Sequence, residues 1–193
     1  AVGRMHVDAE LLALIKQIEG QIGVSVHGAA WVSLLKKSFT IGKTIADATF
    51  EIVHHLFGEY GLVVILPDSD KLKSLFTSVI EKELTTGFSN KAVQQTIQGL
   101  SAHYKVQAAG REINLFYLQG NKRERIVQTS AGFEVAALGL KFTKEQILED
   151  VQNNSACYSP NVILRGVFQE TILPNVAFVG GGGELAYWLE LKN

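Results

Sequence analysis

The chain is poor in the residues that would mark a special environment. It has one cysteine, Cys157, among 193 residues, which excludes an internal disulfide and fits a reducing cytoplasm. Its formal net charge is −1, so it lacks the basic footprint of a nucleic-acid binder. No apolar run approaches the roughly 20 residues of a membrane span. The opening Ala1-Val2-Gly3-Arg4 shows no signal-peptide pattern. Internal repeats and low-complexity linkers are lacking too. With 47% hydrophobic and 19% charged residues, disorder is excluded and the length is ample for a real core. The chain has no initiator Met and stops within a predicted helix at Leu191-Lys192-Asn193. We therefore expect a piece of a larger protein.

What is present reads first as helix. Asp8 predicts an N-cap for a helix to about Glu19, with Leu11, Leu12, Ile15 and Ile18 on one stripe. A second helical region runs from about Ala29 to Phe57, with a break near Thr40-Ile41-Gly42. Two decoys lie within it. Gly42-Lys43-Thr44 resembles the end of a phosphate loop, but that motif needs glycine at position 37, where Lys37 stands. His54 and His55, adjacent on a helix, point about 100° apart and cannot face one metal ion together. No metal site is predicted.

Leu62-Val63-Val64-Ile65-Leu66 is continuously apolar, as expected for a strand buried on both faces of a parallel sheet. Pro67-Asp68-Ser69-Asp70 follows and leads into a helix from about Lys71 to Glu83. Loops at the carboxyl ends of such strands gather ligands, which makes Asp68 and Asp70 secondary candidates. Helix capping by Ser69 or Asp70 is the plainer reading.

A helix is expected from Ser89 to about Ala102. Short β-rich runs then follow at Tyr104 to Gln107, Glu112 to Leu118, Glu124 to Thr129 and Phe133 to Leu138, separated later by turn residues. They predict a small antiparallel meander, with Lys122, Arg123, Glu124 and Arg125 as a solvated hairpin tip. Thr143-Lys144-Glu145-Gln146 is a capping box opening a helix to about Gln152.

Near the end, Val176-Ala177-Phe178-Val179 reads as a second apolar strand, followed by Gly180 to Gly183 and a helix opening on Glu184-Leu185-Ala186-Tyr187-Trp188. Bare N–H groups at a helix start suit an anionic or polar ligand. Gly181-x-Gly183-x-x-Ala186 formally fits a dinucleotide fingerprint, but four consecutive glycines satisfy almost any glycine spacing. The acidic residue expected about 20 positions further on would fall past Asn193. Glu184 opposes a phosphate on the same N–H groups and favours a cationic or hydroxyl-bearing ligand. The fold class expected is α/β: part of a parallel sheet with helices, plus an inserted antiparallel β subdomain. Residues 1–103 and 143–193 would form the core and 104–142 the insertion. Two strands alone make no stable doubly wound core, so partner strands are expected outside this sequence.

Ser159-Pro160-Asn161-Val162-Ile163-Leu164-Arg165, Phe168-Gln169-Glu170-Thr171-Ile172-Leu173-Pro174-Asn175, and Val176 through Gly181 with Gly183-Glu184-Leu185-Ala186-Tyr187-Trp188 resemble the cysteine-adding enzymes of bacillithiol biosynthesis. Weaker echoes stand at Gly3-Arg4, Leu56 to Val64 and Arg111 to Tyr117. The resemblance implies a Rossmann-like core with connecting insertions, in a longer protein that dimerises through a coiled coil absent here. Gly182 stands where the family's turn has proline, and Gly166 where proline follows the arginine.

The reaction implied is ligation of cysteine to glucosaminyl-malate, forming an amide, in the cytoplasm. ATP is the conventional means of activating the carboxylate. No catalytic residue is carried over. For binding, Arg165 would grip a carboxylate bidentately, and Asn161, Gln169 and Asn175 would bond sugar hydroxyls. Gly181, Gly182, Gly183 and Glu184 would anchor the polar ligand, with Tyr187 or Trp188 as a stacking wall. Structural alternatives stand beside these: an ion pair of Arg165 with Glu170 or Asp150, a backbone partner for Gln169, and a core place for Trp188. Cys157, with no nearby His or Lys to lower its pKa, reads as a small filler. A non-catalytic binding module and a nucleotide-binding oxidoreductase fragment are the rival functions. The segment alone is expected to be inactive.

Overall fold

A computed structural model describes residues 1–100, 103–108 and 110–192. The chain divides into two units, Ala1–Pro67 and Asp68–Asn193.

The first unit is helical. Helix α1 (Ala9–Ile22) is capped by Asp8, whose carboxylate accepts from the Leu11 N–H at 2.9 Å. Helix α2 (Gly28–Ser38) and helix α3 (Ile45–Phe57) follow, and the break expected near Gly42 falls between them. Thr44 caps α3 by accepting from the Asp47 N–H at 3.1 Å. The residues of the phosphate-loop lookalike all have local duties. Gly42 takes a left-handed turn with φ 83°, Lys43 pairs with Glu51 at 2.8 Å, and Thr44 is the cap. His54 stacks on Phe50 with ring centroids 5.8 Å apart. Ile15, Val32 and Ala48 are buried, each from a different helix, so the apolar stripes meet as the periodicity predicts.

Leu62–Leu66 departs from expectation. It is not a strand, and Leu62, Val63 and Ile65 are exposed. A strand exists only where a neighbour takes its N–H and C=O groups, and no strand among the described residues lies alongside it.

The second unit holds helices α4 (Asp70–Ser74), α5 (Thr77–Thr86) and α6 (Phe88–Gly99). Strands β1 (Leu115–Gln119), β2 (Lys122–Arg125), β3 (Val127–Thr129), β4 (Gly132–Val135) and β5 (Leu140–Phe142) come next. Helix α7 (Lys144–Asn153), strand β6 (Tyr158–Pro160), helix α8 (Val162–Ile172) and helix α9 (Gly182–Trp188) complete it. Residues 101–102, at the end of the helix expected from Ser89, lie outside the described residues. Tyr104 to Gln107 forms no strand. The expected meander is instead two three-stranded antiparallel sheets, ordered β2-β1-β6 and β3-β4-β5. The run Glu124 to Thr129 is divided at Ile126, which is 2% exposed and ends pairing in one sheet before the other begins. Gly132, at φ 134°, lies so close to the Phe142 carbonyl that a Cβ would stand 2.1 Å from it.

The capping box at Thr143 forms both its bonds, with Gln146 N–H to Thr143 Oγ1 at 3.2 Å and Thr143 N–H to Gln146 Oε1 at 2.8 Å. The core packs Phe76, Ile80 and Leu84 against Leu115, Tyr117, Ile147, Tyr158, Leu164 and Phe168. Phe76 and Phe168 meet edge to face at 5.1 Å, which fixes α8 against the helices before the sheets.

The parallel sheet is the main correction. Sheets among the described residues are antiparallel, and Val176–Val179, like Leu62–Leu66, is not a strand. Val176 and Val179 are fully exposed. Their apolarity marks residues fit for a buried strand without supplying the partner that makes one.

Candidate binding site around helix α8 and the glycine run

Helix α8 begins where β6 ends, and its first turn is locked from several sides. The Asn161 side chain caps it, accepting from Ile163 N–H at 2.9 Å and Leu164 N–H at 3.4 Å. The Asn161 amide also donates to Asn114 Oδ1 at 2.7 Å. Asn161 is thus occupied inside the fold, by the orphan-donor logic of a helix start.

Behind it lies a polar cluster that the sequence did not reveal. Glu83, Ser89 and Asn114 are buried, Glu83 and Asn114 completely. The Glu83 carboxylate accepts from Asn114 N–H (2.9 Å), Ser89 N–H (3.2 Å) and the Ser89 hydroxyl (2.7 Å). Asn114 Nδ2 donates to Ser89 Oγ at 2.7 Å and to the Arg111 carbonyl at 2.8 Å. A buried carboxylate survives only when such donors replace water. This one ties α5, α6 and the start of β1 to the cap of α8.

Arg165, one turn into α8, is exposed and pairs with neither alternative partner. Glu170 instead accepts from Asn175 N–H at 3.0 Å and Asn175 Nδ2 at 2.7 Å. These two bonds hold the Glu170 carboxyl below its usual range. Asn175 is therefore engaged in closing the end of α8. Asp150 accepts from the Tyr117 hydroxyl at 3.1 Å and the Tyr158 hydroxyl at 2.8 Å. Burial first, and that carboxylate second, push both phenols upward. Arg165 has no ion pair among the described residues. Gln169 lies one turn further along α8, partly exposed.

The glycine run turns toward the same helix. The Trp188 ring stacks on Phe178 at 4.0 Å and lies against Gly166 of α8, where a Cβ would meet it at 3.6 Å. The Tyr187 hydroxyl donates to Glu184 Oε1 at 3.2 Å. Burial and that bond raise the Tyr187 pKa, and Trp188 first, then Arg165, partly offset the rise. Gly181, Gly182 and Gly183 have nothing within 4 Å of a would-be Cβ, and none has positive φ. Neither space nor backbone demands glycine there. What their bareness leaves is open access to their N–H groups.

Asp68 and Asp70 are elsewhere. Asp68 pairs with Lys73, which is 4% exposed and also donates to the Ala156 carbonyl at 2.8 Å. Asp70 is the exposed first residue of α4.

Arg123, read from its charge as part of a solvated hairpin tip, is held inside the fold. Rather than trailing in solvent, it donates from Nε to Ser159 Oγ at 3.2 Å and from Nη2 to the Pro160 carbonyl at 2.8 Å. Its guanidinium lies over the Phe116 ring at 3.8 Å. Burial and the neighbouring Arg165 lower its pKa. The available signal was strand alternation, which puts Arg123 and Arg125 on one face with Phe116.

The sequence matches, over residues 1–193, the model described as "Bacillithiol biosynthesis BshC, N-terminal Rossmann-like domain". The chain belongs to that BshC family. A relative from Flavobacterium psychrophilum is 42% identical over 192 residues, and one from Flavobacterium johnsoniae 41% over 194. Each match covers 100% of this chain and 36% of the relative. A Geobacillus thermodenitrificans relative is 32% identical over 167 residues, covering 83% of this chain and 31% of its own length. All three are named "Putative cysteine ligase BshC". The chain thus spans about a third of the length of the BshC relatives it matches. Among the described residues, no helix is long and apolar enough to cross a membrane.

Proposed function

We propose that this chain forms part of an amide-forming ligase that joins cysteine to glucosaminyl-malate in bacillithiol biosynthesis. The observation that carries the reading is the match over the whole chain to relatives named as cysteine ligases. The geometry adds a place for substrate. Arg165 offers a guanidinium with no ion pair among the described residues, near enough to Tyr187 to affect its pKa, while the glycine N–H groups and the Glu184–Tyr187 pair lie in the segment whose Trp188 packs on α8. A carboxylate of the substrate answers the first, and sugar hydroxyls or an ammonium answer the second. Gln169 faces the same task from α8, with Trp188 as a wall. Asn161 and Asn175 serve the site chiefly by holding the two ends of α8.

Glu184 repels a phosphate from the glycine N–H groups. ATP, the conventional activator for such an amide, is therefore not assigned to this turn. The match to the family's Rossmann-like domain leaves most of the relatives' length, and with it the rest of the site, to other parts of the protein. Dimerisation through a coiled coil likewise belongs to the remainder, and the enzyme works in the cytoplasm on small molecules.

Calorimetric titration of the full-length protein with glucosaminyl-malate, ATP and NADH tests the reading. Binding of glucosaminyl-malate, followed by coupling of cysteine, is expected. Binding of NADH without the amino sugar would overturn it in favour of an oxidoreductase. Sugar binding with no coupling would make the protein a non-catalytic module. The 193-residue chain alone is expected to couple nothing.

A further inference from the structure

One completely buried carboxylate has no part in the site described above. Glu190 stands two residues past the end of α9 and makes no ion pair among the described residues. A buried carboxylate without a cation persists only where N–H donors replace its water. Glu190 Oε1 accepts from the Gln107 N–H at 2.5 Å, and Oε2 accepts from the Ala108 N–H at 3.0 Å. Two successive main-chain N–H groups, one to each oxygen, grip it as a nest grips an anion. A hold at two points fixes orientation as well as distance. Only a carboxylate can be held in this way, because an amide would accept from one N–H and turn its own NH2 on the other.

The same segment is bound to α9 a second time. The Tyr104 hydroxyl donates to the Ala186 carbonyl, four residues before Glu190. With seven residues, α9 is too short to be stable as an isolated helix, so its setting depends on what holds it. Elsewhere on its surface Trp188 stacks on Phe178 and lies against Gly166 of α8. At about 100° per residue, Glu190 is about 200° round the axis from Trp188. These two side chains hold the helix from opposite sides and keep it from rolling. Glu184 and Tyr187, bonded to each other, fall on the arc between them.

We propose that Glu190 is a positioning residue: by fixing the roll of α9 it sets where the Glu184–Tyr187 pair stands, and thereby the affinity for the ligand that the pair receives. The inference rests on the reading of that pair as part of the substrate site. Glu190 itself touches no ligand, since it is completely buried and both its oxygens are bonded within the fold.

The test is a double-mutant cycle on the full-length protein. Calorimetry gives the affinity for glucosaminyl-malate in the wild type, Glu190→Gln, Glu184→Ala and the double variant. Glu190→Gln is expected to weaken binding about tenfold, since a misplacement of about 1 Å can cost about 100-fold. Once Glu184 is replaced, Glu190→Gln should cost less than about threefold more, because the group it positions is gone. Equal losses in both backgrounds overturn the proposal and leave Glu190 a purely structural residue. Unchanged affinity in Glu190→Gln overturns it too. Should Glu190→Gln fail to fold, Tyr104→Phe takes its place in the cycle with the same expectations. Amide hydrogen exchange on the same proteins gives a reading that needs no ligand. Exchange over Gly182–Trp188 should quicken in Glu190→Gln while α7 stays as protected as in the wild type. A wild type that binds no glucosaminyl-malate sinks the substrate reading, and quickened exchange confined to α9 then still upholds Glu190 as the residue that sets this helix. Exchange unchanged in Glu190→Gln overturns that role whatever the protein binds.

Discussion

Asn114 and Asn161 hold each other twice. The Asn161 backbone N–H donates to the Asn114 carbonyl at 3.0 Å, and the Asn161 side-chain amide donates to Asn114 Oδ1 at 2.7 Å. One bond sets the distance between the entry to β1 and the start of α8, and the other sets the angle. Arg165 is placed by this double tie, although it touches neither asparagine side chain.

Asn114→Ala is therefore expected to destabilise the protein by about 2–4 kcal/mol, since it removes the side-chain bonds that Asn114 makes to Ser89, Arg111 and Asn161 in and beside the buried cluster. Urea unfolding measures this. Ser89→Ala should cost less, because Glu83 keeps the Asn114 N–H. Equal costs would show that the cluster does not act through Asn114.

Arg165→Ala should leave stability within about 0.5 kcal/mol, as expected for a surface side chain with no ion pair among the described residues. Binding of glucosaminyl-malate by the full-length protein should fall about tenfold or more. A loss of stability with unchanged binding would make the arginine structural.

Gly183→Ala separates fold from ligand access. A Cβ there meets nothing within 4 Å, and the position is helical. Alanine should be neutral or stabilise by up to about 1 kcal/mol. If the N–H groups receive substrate, affinity should fall while the melting temperature holds. Unchanged affinity would remove the glycine run from the site.

Alkali should unfold the second unit through Tyr117 and Tyr158. Both phenols lie above their ordinary value of 10 in the folded state, chiefly by burial and then by Asp150. A raised folded pKa contributes stability that is full below pH 10 and lost as pH rises beyond it. Tyr158→Phe should flatten that dependence, read as stability against pH between about 9 and 12. At the acid end the sign is opposite. Glu170 is held below 4.5, first by the Asn175 backbone N–H, so the bonds closing α8 persist above that pH and fail as pH falls through the lowered value. The Asn175 amide shift in NMR, followed from pH 6 to 2, should report it, and Glu170→Gln should abolish the transition.

Local signals carried much of the fold. Asp8, Thr44 and the box at Thr143 satisfy orphan N–H groups within a few residues, so their helices are legible without tertiary knowledge. Pairing was not. Val176–Val179 has the composition of a strand, but only a neighbour can make it one. Tyr158–Pro160, which has less of it, is a strand because β1 lies beside it. Arg165 was read as a carboxylate-binding residue beside the family resemblance, and the structure leaves it exposed. Arg123 was hidden because a run of charges reads as a wet hairpin tip. Glu83 was hidden because nothing in a helical sequence tells a buried carboxylate from a solvated one.

The division of one extended run at Ile126 also guards against misfolding. β2 sets Arg123 and Arg125 across from Leu118 and Phe116 of β1, with Arg123 half-buried. A slip of one residue would carry both guanidiniums to the face that Glu124 shares with Tyr117, and would part Arg123 from Ser159 and Pro160. Ile126, locked in the core at the corner, denies the strand that freedom. The charge pattern of the hairpin thus marks one register, the one that lays Arg123 over Phe116 and within reach of Ser159 and Pro160 on β6.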